Sequence, residues 1–153
     1  MKSHIFLKIV ILAPIIILVT MMAISYPINN IVAQNIITEL KQNPLPEKTI
    51  IVEEKSIAAR LCGNGDGVQY FGALLLKSEL SLEELDNYYS QFRKREECNI
   101  VKHQYGKEIE QNEFPALHEL SFDTNIDNEN YYILYTWGNY DSIFTYLDWR
   151  GIY

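Results

Sequence analysis

The residues able to do chemistry are few, and their spacing decides most of what the chain is. Cys62 and Cys98 are the only cysteines. An even pair in an oxidising compartment suggests a disulfide. Bridging them would contribute about 4 kcal/mol in the chain-entropy account. The alternative is two separate buried thiols. The histidines are His4, His103 and His118. No His-x-x-x-His or Cys-x-x-Cys spacing occurs, so a zinc ion has no ready set of ligands. A Cys–His nucleophile pair can be drawn from Cys62 or Cys98 with His103, but a disulfide would consume both thiols. No Gly-x-Ser-x-Gly elbow is present. Glu108, Glu110, Glu113, Glu119 and Asp123 are plentiful carboxylates without a spacing that singles out a pair.

Gly63-Asn64-Gly65-Asp66-Gly67 invites two further readings. A phosphate cradle needs Gly-x-Gly-x-x-Gly opening a helix. Here the third glycine is misplaced and a strand follows. A calcium loop beginning at Cys62 would carry Asn64, Asp66 and Gly67 in register. Its first ligand would be a cysteine, and its twelfth position is Ala73, not Glu. Turn chemistry accounts for the segment: Asn-Gly and Asp-Gly supply positive φ for a hairpin. The chain therefore offers no catalytic residue, and neither a cofactor nor a metal is expected. The alternative kept open is a small extracytoplasmic hydrolase or thiol-redox protein using Cys62, Cys98 and nearby acidic residues.

Binding is a better prospect than catalysis. Tyr140, Phe144, Tyr146, Trp149 and Tyr153 crowd the C-terminal stretch. Rings bury large area at low entropy cost and suit saccharide or protein partners. Core packing competes for the same residues.

What must position these groups begins with a membrane anchor. Ile9 to Tyr26 is uncharged and apolar, and Lys2 and Lys8 precede it. A helix of that length spans roughly 27 Å, close to the ~30 Å hydrocarbon core of a bilayer. Extending it to Leu7 places Lys8 where it can snorkel toward the head groups. A cleaved signal peptide is the competing reading, with Ala23-Ile24-Ser25 as its cleavage site, but the apolar run is longer than a usual h-region. Basic residues before the run put the N-terminus in the cytoplasm and the remainder outside. The reading divides the chain into a cytoplasmic tail (1–6), a transmembrane helix (7–26), a juxtamembrane helix and linker (27–47) and an extracytoplasmic domain (48–153).

Of the 13 basic residues only Lys2 and Lys8 precede the anchor, whereas all 20 acidic ones lie beyond it, so the exported part carries a net charge near −9. That excludes nucleic acid as a partner and disfavours docking on anionic lipid by charge. The remaining partners are membrane lipid, through the helix, and a protein or cell-wall component of the envelope.

The domain reads as α+β. Ile28, Ile31, Val32, Ile36 and Leu40 recur at helical steps, with Asn29, Asn30, Gln34, Asn35 and Glu39 between them, until Asn43-Pro44-Leu45-Pro46 stops the helix. Thr49–Leu61 and Val68–Ser78 predict a hairpin, with a bulge near Lys55. Ser81-Leu82-Glu83-Glu84 is a capping box opening a helix to about Arg95. Its apolar stripe is Leu82, Leu85, Tyr88, Tyr89 and Phe92. Strands are expected at Asn99–Gln104, Leu117–Asp123 and Tyr131–Trp137, with another closing the chain after Tyr140. In Tyr131–Trp137 both faces are apolar, as in a central strand covered on both sides. The order β-β-α-β-β-β gives an antiparallel sheet of about five strands with one packed helix.

The stretches Pro44–Glu54, Gly63-Asn64-Gly65, Tyr70-Phe71-Gly72-Ala73, Lys77-Ser78 and Leu80–Tyr89 resemble a group of small bacterial membrane-anchored or lipoprotein domains. In these a hairpin is followed by a Ser-x-Glu-Glu helix ending in Tyr-Tyr, then by three strands. The resemblance implies the same fold and compartment and brings no assigned activity. It covers residues 44–137 at most. This chain lacks a lipobox, and Glu97-Cys98 stands where Gly-Trp often comes after the helix.

Overall fold

The computed structural model describes residues 2–60, 67–92, 99–102, 122–125, 130–138 and 142–150. It opens on one helix, α1, Lys2–Gln42, of 41 residues and roughly 60 Å. The chain then forms β1 (Thr49–Ala59), β2 (Gln69–Ser78), α2 (Leu82–Ser90), β3 (Asn99–Lys102), β4 (Tyr131–Gly138) and α3 (Ile143–Leu147). The strands make an antiparallel four-stranded sheet in the order β1-β2-β4-β3.

The two halves of α1 live in different surroundings. Val10, Ile11, Leu12 and Ile15 to Val19 are each between 50% and 61% exposed. The C-terminal half buries Ser25, Asn29, Ala33, Ile36, Ile37 and Leu40, a stripe at three- and four-residue steps that lies over β1 and β2. Pro27 lies within the helix without ending it. A single element thus carries a segment long and apolar enough to cross a membrane and a core helix of the domain. Within the expected stripe Ile31 faces out, and Asn29, placed among the polar positions, is fully buried.

The sheet buries both faces. β2 alternates Tyr70, Gly72, Leu74 and Leu76 toward the helices with Phe71, Ala73 and Leu75 on the reverse. β4 alternates in the same way, with Tyr132 and Leu134 toward α1 and α2 and Tyr131, Ile133 and Tyr135 opposite. Both are therefore central strands buried on two sides, the pattern expected for Tyr131–Trp137. Each such side chain contributes about 1.5–3 kcal/mol on burial. Gly72 is where α1 comes closest: a Cβ there would lie 2.6 Å from Ile36 Cγ2. Glycine is thus what lets β2 and α1 touch.

α2 begins as its capping box requires. The Ser81 hydroxyl accepts from the Glu84 N–H at 3.3 Å, and the Ser81 N–H donates to Glu84 Oε2 at 2.8 Å. Leu85 and Tyr89 are buried, Tyr88 and Phe92 half-buried with their rings 5.3 Å apart, and Leu82 is exposed at the helix start. The helix proper ends at Ser90, short of the expected Arg95.

Four expectations are corrected. The irregularity in β1 falls between Ile51 and Glu53, not at Lys55. The sheet has four strands among the described residues, not five. Its helical face is covered by the end of α1 as well as by α2. After Tyr140 the chain forms α3 rather than a strand, because Ser142 caps a helical turn by accepting from the Phe144 N–H at 3.2 Å. The expected strand Leu117–Asp123 lies mostly outside the described residues, and Phe122 and Asp123 are not in a strand.

Candidate functional site

Among the described residues, two polar clusters pin a distant segment onto the frame. The first is on the reverse face of the sheet. The Glu53 carboxylate accepts from the backbone N–H of Asp123 at 3.0 Å and of Thr124 at 2.9 Å, and from the Thr124 hydroxyl at 2.8 Å. Lys55 bridges Glu53 at 3.3 Å and Asp123 at 2.9 Å. Burial alone would push the Glu53 carboxyl up, but these donors outweigh it and hold it below the ordinary range. Every oxygen is engaged in holding the 122–125 segment beside Val52 and Ile57, with Phe122 over the second core.

The second place joins α1 to the segment after β4. Asn29 donates through Nδ2 to the Phe144 carbonyl at 3.1 Å and to Asp148 Oδ2 at 2.8 Å. Its own Oδ1 accepts from the Tyr70 hydroxyl at 2.6 Å. Asp148, 2% exposed, also accepts from the Arg150 backbone N–H at 3.1 Å and from its Nε at 3.0 Å. The Arg150 guanidinium donates onward to Asn30 and to the Tyr26 carbonyl, and lies 4.2 Å from the centre of the Tyr26 ring. Burial pushes the Asp148 carboxyl up; the Arg150 and Asn29 donors overcome that and leave it lower than usual. The polar side chains of Asn29, Asp148 and Arg150 form a lock, engaged with one another and with the frame.

The lock fixes the orientation of α3 and of the residues up to Arg150. Thr145 and Asp148 turn inward, and the Thr145 carbonyl accepts from the Val68 N–H at 3.0 Å. Gly67 sits beside it with φ +92°, a conformation suited to glycine. Ile143, Tyr146 and Trp149 turn outward and are 59%, 57% and 78% exposed. Of the aromatic candidates, Tyr146 and Trp149 thus form a surface, Phe144 is half-buried beneath it, and Tyr140 and Tyr153 lie outside the described residues. Cys62, Cys98 and Asp66 also lie outside them.

Sequence reasoning missed the lock residues Asn29, Asp148 and Arg150. A signal existed in retrospect: a buried-face position in an isoleucine-rich helix occupied by asparagine, and an Asp-x-Arg spacing near the C-terminus. Neither names its partner, because Asn29 and Asp148 are 119 positions apart.

A shallow cleft runs between α1 and β1, lined by Gln34, Ile37, Thr38, Lys41, Glu54 and Ser56. Lys41 and Glu54 bridge across it at 2.6 Å. Among the described residues no three His, Cys, Asp or Glu side chains are grouped to hold a metal ion. In comparison with known proteins, no family model, no curated protein and no solved structure matches the chain, so the resemblance to membrane-anchored domains stands on its local motifs alone.

Proposed function

We propose that this is a single-pass bacterial membrane protein whose non-catalytic domain, outside the cytoplasm, binds a protein or cell-wall component of the envelope close to the bilayer. The observation that carries the reading is α1 itself: an exposed apolar half runs without interruption into a half that forms the core of the domain. A domain built on the end of its own anchor is held at a fixed height and attitude, which suits a module that meets its partner at the membrane surface. The Ser25–Tyr26 bond, the cleavage point of the competing signal-peptide reading, lies within the helix, and Ser25 is fully buried. Cleavage there would cut into the part of α1 that packs in the domain, so this supports retention of the anchor. Lys2 and Lys8 support a cytoplasmic N-terminus.

The test is fractionation combined with protease access. The protein should stay with membranes after alkaline carbonate washing, and protease added to spheroplasts should digest the domain. Release into the wash, or a domain protected until the membrane is opened, would overturn the anchor or its orientation. A photo-crosslinking side chain in place of Thr38, at the α1–β1 cleft, should yield a discrete adduct in intact cells. A chain that forms no adduct from any exposed domain position would overturn the binding role.

A further inference from the structure

We infer that the outward face of the α3 segment, Ile143, Tyr146 and Trp149, docks into the head-group region of the bilayer crossed by α1, making a second membrane contact beside the anchor. The inference rests on the reading that α1 spans the membrane and adds that the domain lies down on the lipid.

The first support is an outward face that is apolar and aromatic while polar residues are turned in, with Phe144 and Leu147 half-buried between them. A short helix on a water-facing domain turns apolar residues in and polar residues out. Here Thr145 and Asp148 are inside, at 3% and 2% exposure, and Ile143, Tyr146 and Trp149, at three-residue steps, are outside. The inward polar groups are fully provided for. Thr145 donates to the Ser142 carbonyl at 2.7 Å, and Asp148 is held by Asn29 and Arg150. The pattern is therefore a committed orientation, and the outward face calls for surroundings less polar than water.

The second support is height. Arg150 touches the Tyr26 ring and carbonyl, and Asn29 touches Phe144 and Asp148. Tyr26, 53% exposed, ends the uncharged apolar run, and Asn29 and Asn30 are the first polar residues after it. The lock thus holds Trp149, the neighbour of both Asp148 and Arg150, at the level where α1 leaves the hydrocarbon. Tryptophan and tyrosine favour that level, where the ring is shielded and the polar edge is wet. A short amphipathic segment lying there sinks about 5–10 Å into the boundary. Charge fits as well. From Ser142 to Arg150 the only carboxylate is Asp148, buried and paired with Arg150, so the strongly acidic domain presents a face here that lipid does not repel.

The experiment uses the full chain reconstituted in phosphatidylcholine vesicles containing nitroxide-labelled lipid. The chain has two tryptophans, so W137F leaves Trp149 as the sole reporter. Its emission should be blue-shifted and mostly lost to a nitroxide placed shallow in the acyl chain, and much less affected by a deep one. A second variant, L18W with W137F and W149F, reports the anchor and should be quenched best by the deep nitroxide. Quenching of the Leu18 position without quenching of Trp149 would overturn the docking inference and leave the anchor standing. Quenching of neither would overturn both. Protection of Trp149 from aqueous acrylamide without nitroxide quenching would give the face to a protein or a second copy, and would also overturn the inference.

Discussion

Replacing Gly72 tests the contact on which the fold turns, the seat of α1 on β2. In an ordinary strand interior, Gly→Ala gains roughly 0.5–1 kcal/mol by lowering the entropy of the unfolded chain. At Gly72 the added methyl would lie 2.6 Å from Ile36 Cγ2 and 3.1 Å from Ile36 Cβ, well inside the ~3.5–4.0 Å of carbon–carbon contact. Ile36 is 3% exposed and cannot swing into solvent. Overpacking of this kind costs about 1–3 kcal/mol, so Gly72→Ala should lose about 1–2 kcal/mol net. Ile36→Ala alone should cost about 2–5 kcal/mol by leaving a cavity. It also removes Cγ2, the nearer of the two atoms, and leaves only Cβ at 3.1 Å. In the Ile36→Ala background, Gly72→Ala should therefore cost clearly less or nothing, a coupling of about 1–2 kcal/mol. Urea unfolding of the detergent-solubilised full chain, followed by far-UV ellipticity and tryptophan emission, measures all four proteins. Equal effects of Gly72→Ala in the two backgrounds, or a stabilising effect in the wild type, would mean that the helix does not sit on β2 as described.

Arg150→Ala leaves the buried Asp148 carboxylate without its cation and should cost about 3–5 kcal/mol, read as a lowered urea midpoint, with Arg150→Lys recovering only part because the forked contacts to Asp148, Asn30 and Tyr26 are lost. The Asp148 carboxyl is lower in the folded chain than in the unfolded one. Its stabilising effect is therefore complete above the ordinary carboxylate range and is lost as pH falls through and below about 4. Glu53 acts in the same direction, so stability should fall on acidification through that window, and by less in Asp148→Asn. Ser81→Ala removes the α2 cap and should cost about 1 kcal/mol, seen as earlier loss of amide protection in Leu82–Ser90 than in the sheet.

Features written in local periodicity were legible in the sequence. The two-step alternation of Tyr131–Trp137 gave both faces of β4, and Ser81 with Glu84 gave the start of α2, because each depends on residues within one or two turns. The apolar length of Ile9–Tyr26 likewise gave the membrane-spanning candidate. The features that escaped depend on distant partners. Nothing near Asn29 says that its side chain meets Asp148, so an asparagine among isoleucines reads as a solvent position. Pro27 leaves two readings open, a break between anchor and second helix or one helix running past it, since proline removes a helical hydrogen bond without always ending the helix. The helix runs through it because packing on the sheet holds the residues beyond. The crowd of C-terminal aromatics was legible as a binding candidate, but not which of them face outward. That is decided by the Asp148 lock, which turns Thr145 in and Trp149 out.

The central claim is that one uninterrupted helix is both the anchor and a core element of the domain. Nitroxide scanning of α1 in lipid nanodiscs tests it most directly, with the label introduced as an unnatural side chain so that Cys62 and Cys98 are untouched. Positions from Leu12 to Ile24 should be accessible to oxygen and shielded from a water-soluble relaxant. Exposed positions from Ile31 to Glu39 should show the reverse, and helical periodicity should continue through Pro27 with mobility falling at Ala33 and Ile36. A loss of periodicity at Pro27, or relaxant access at Leu18 equal to that at Thr38, would contradict the account.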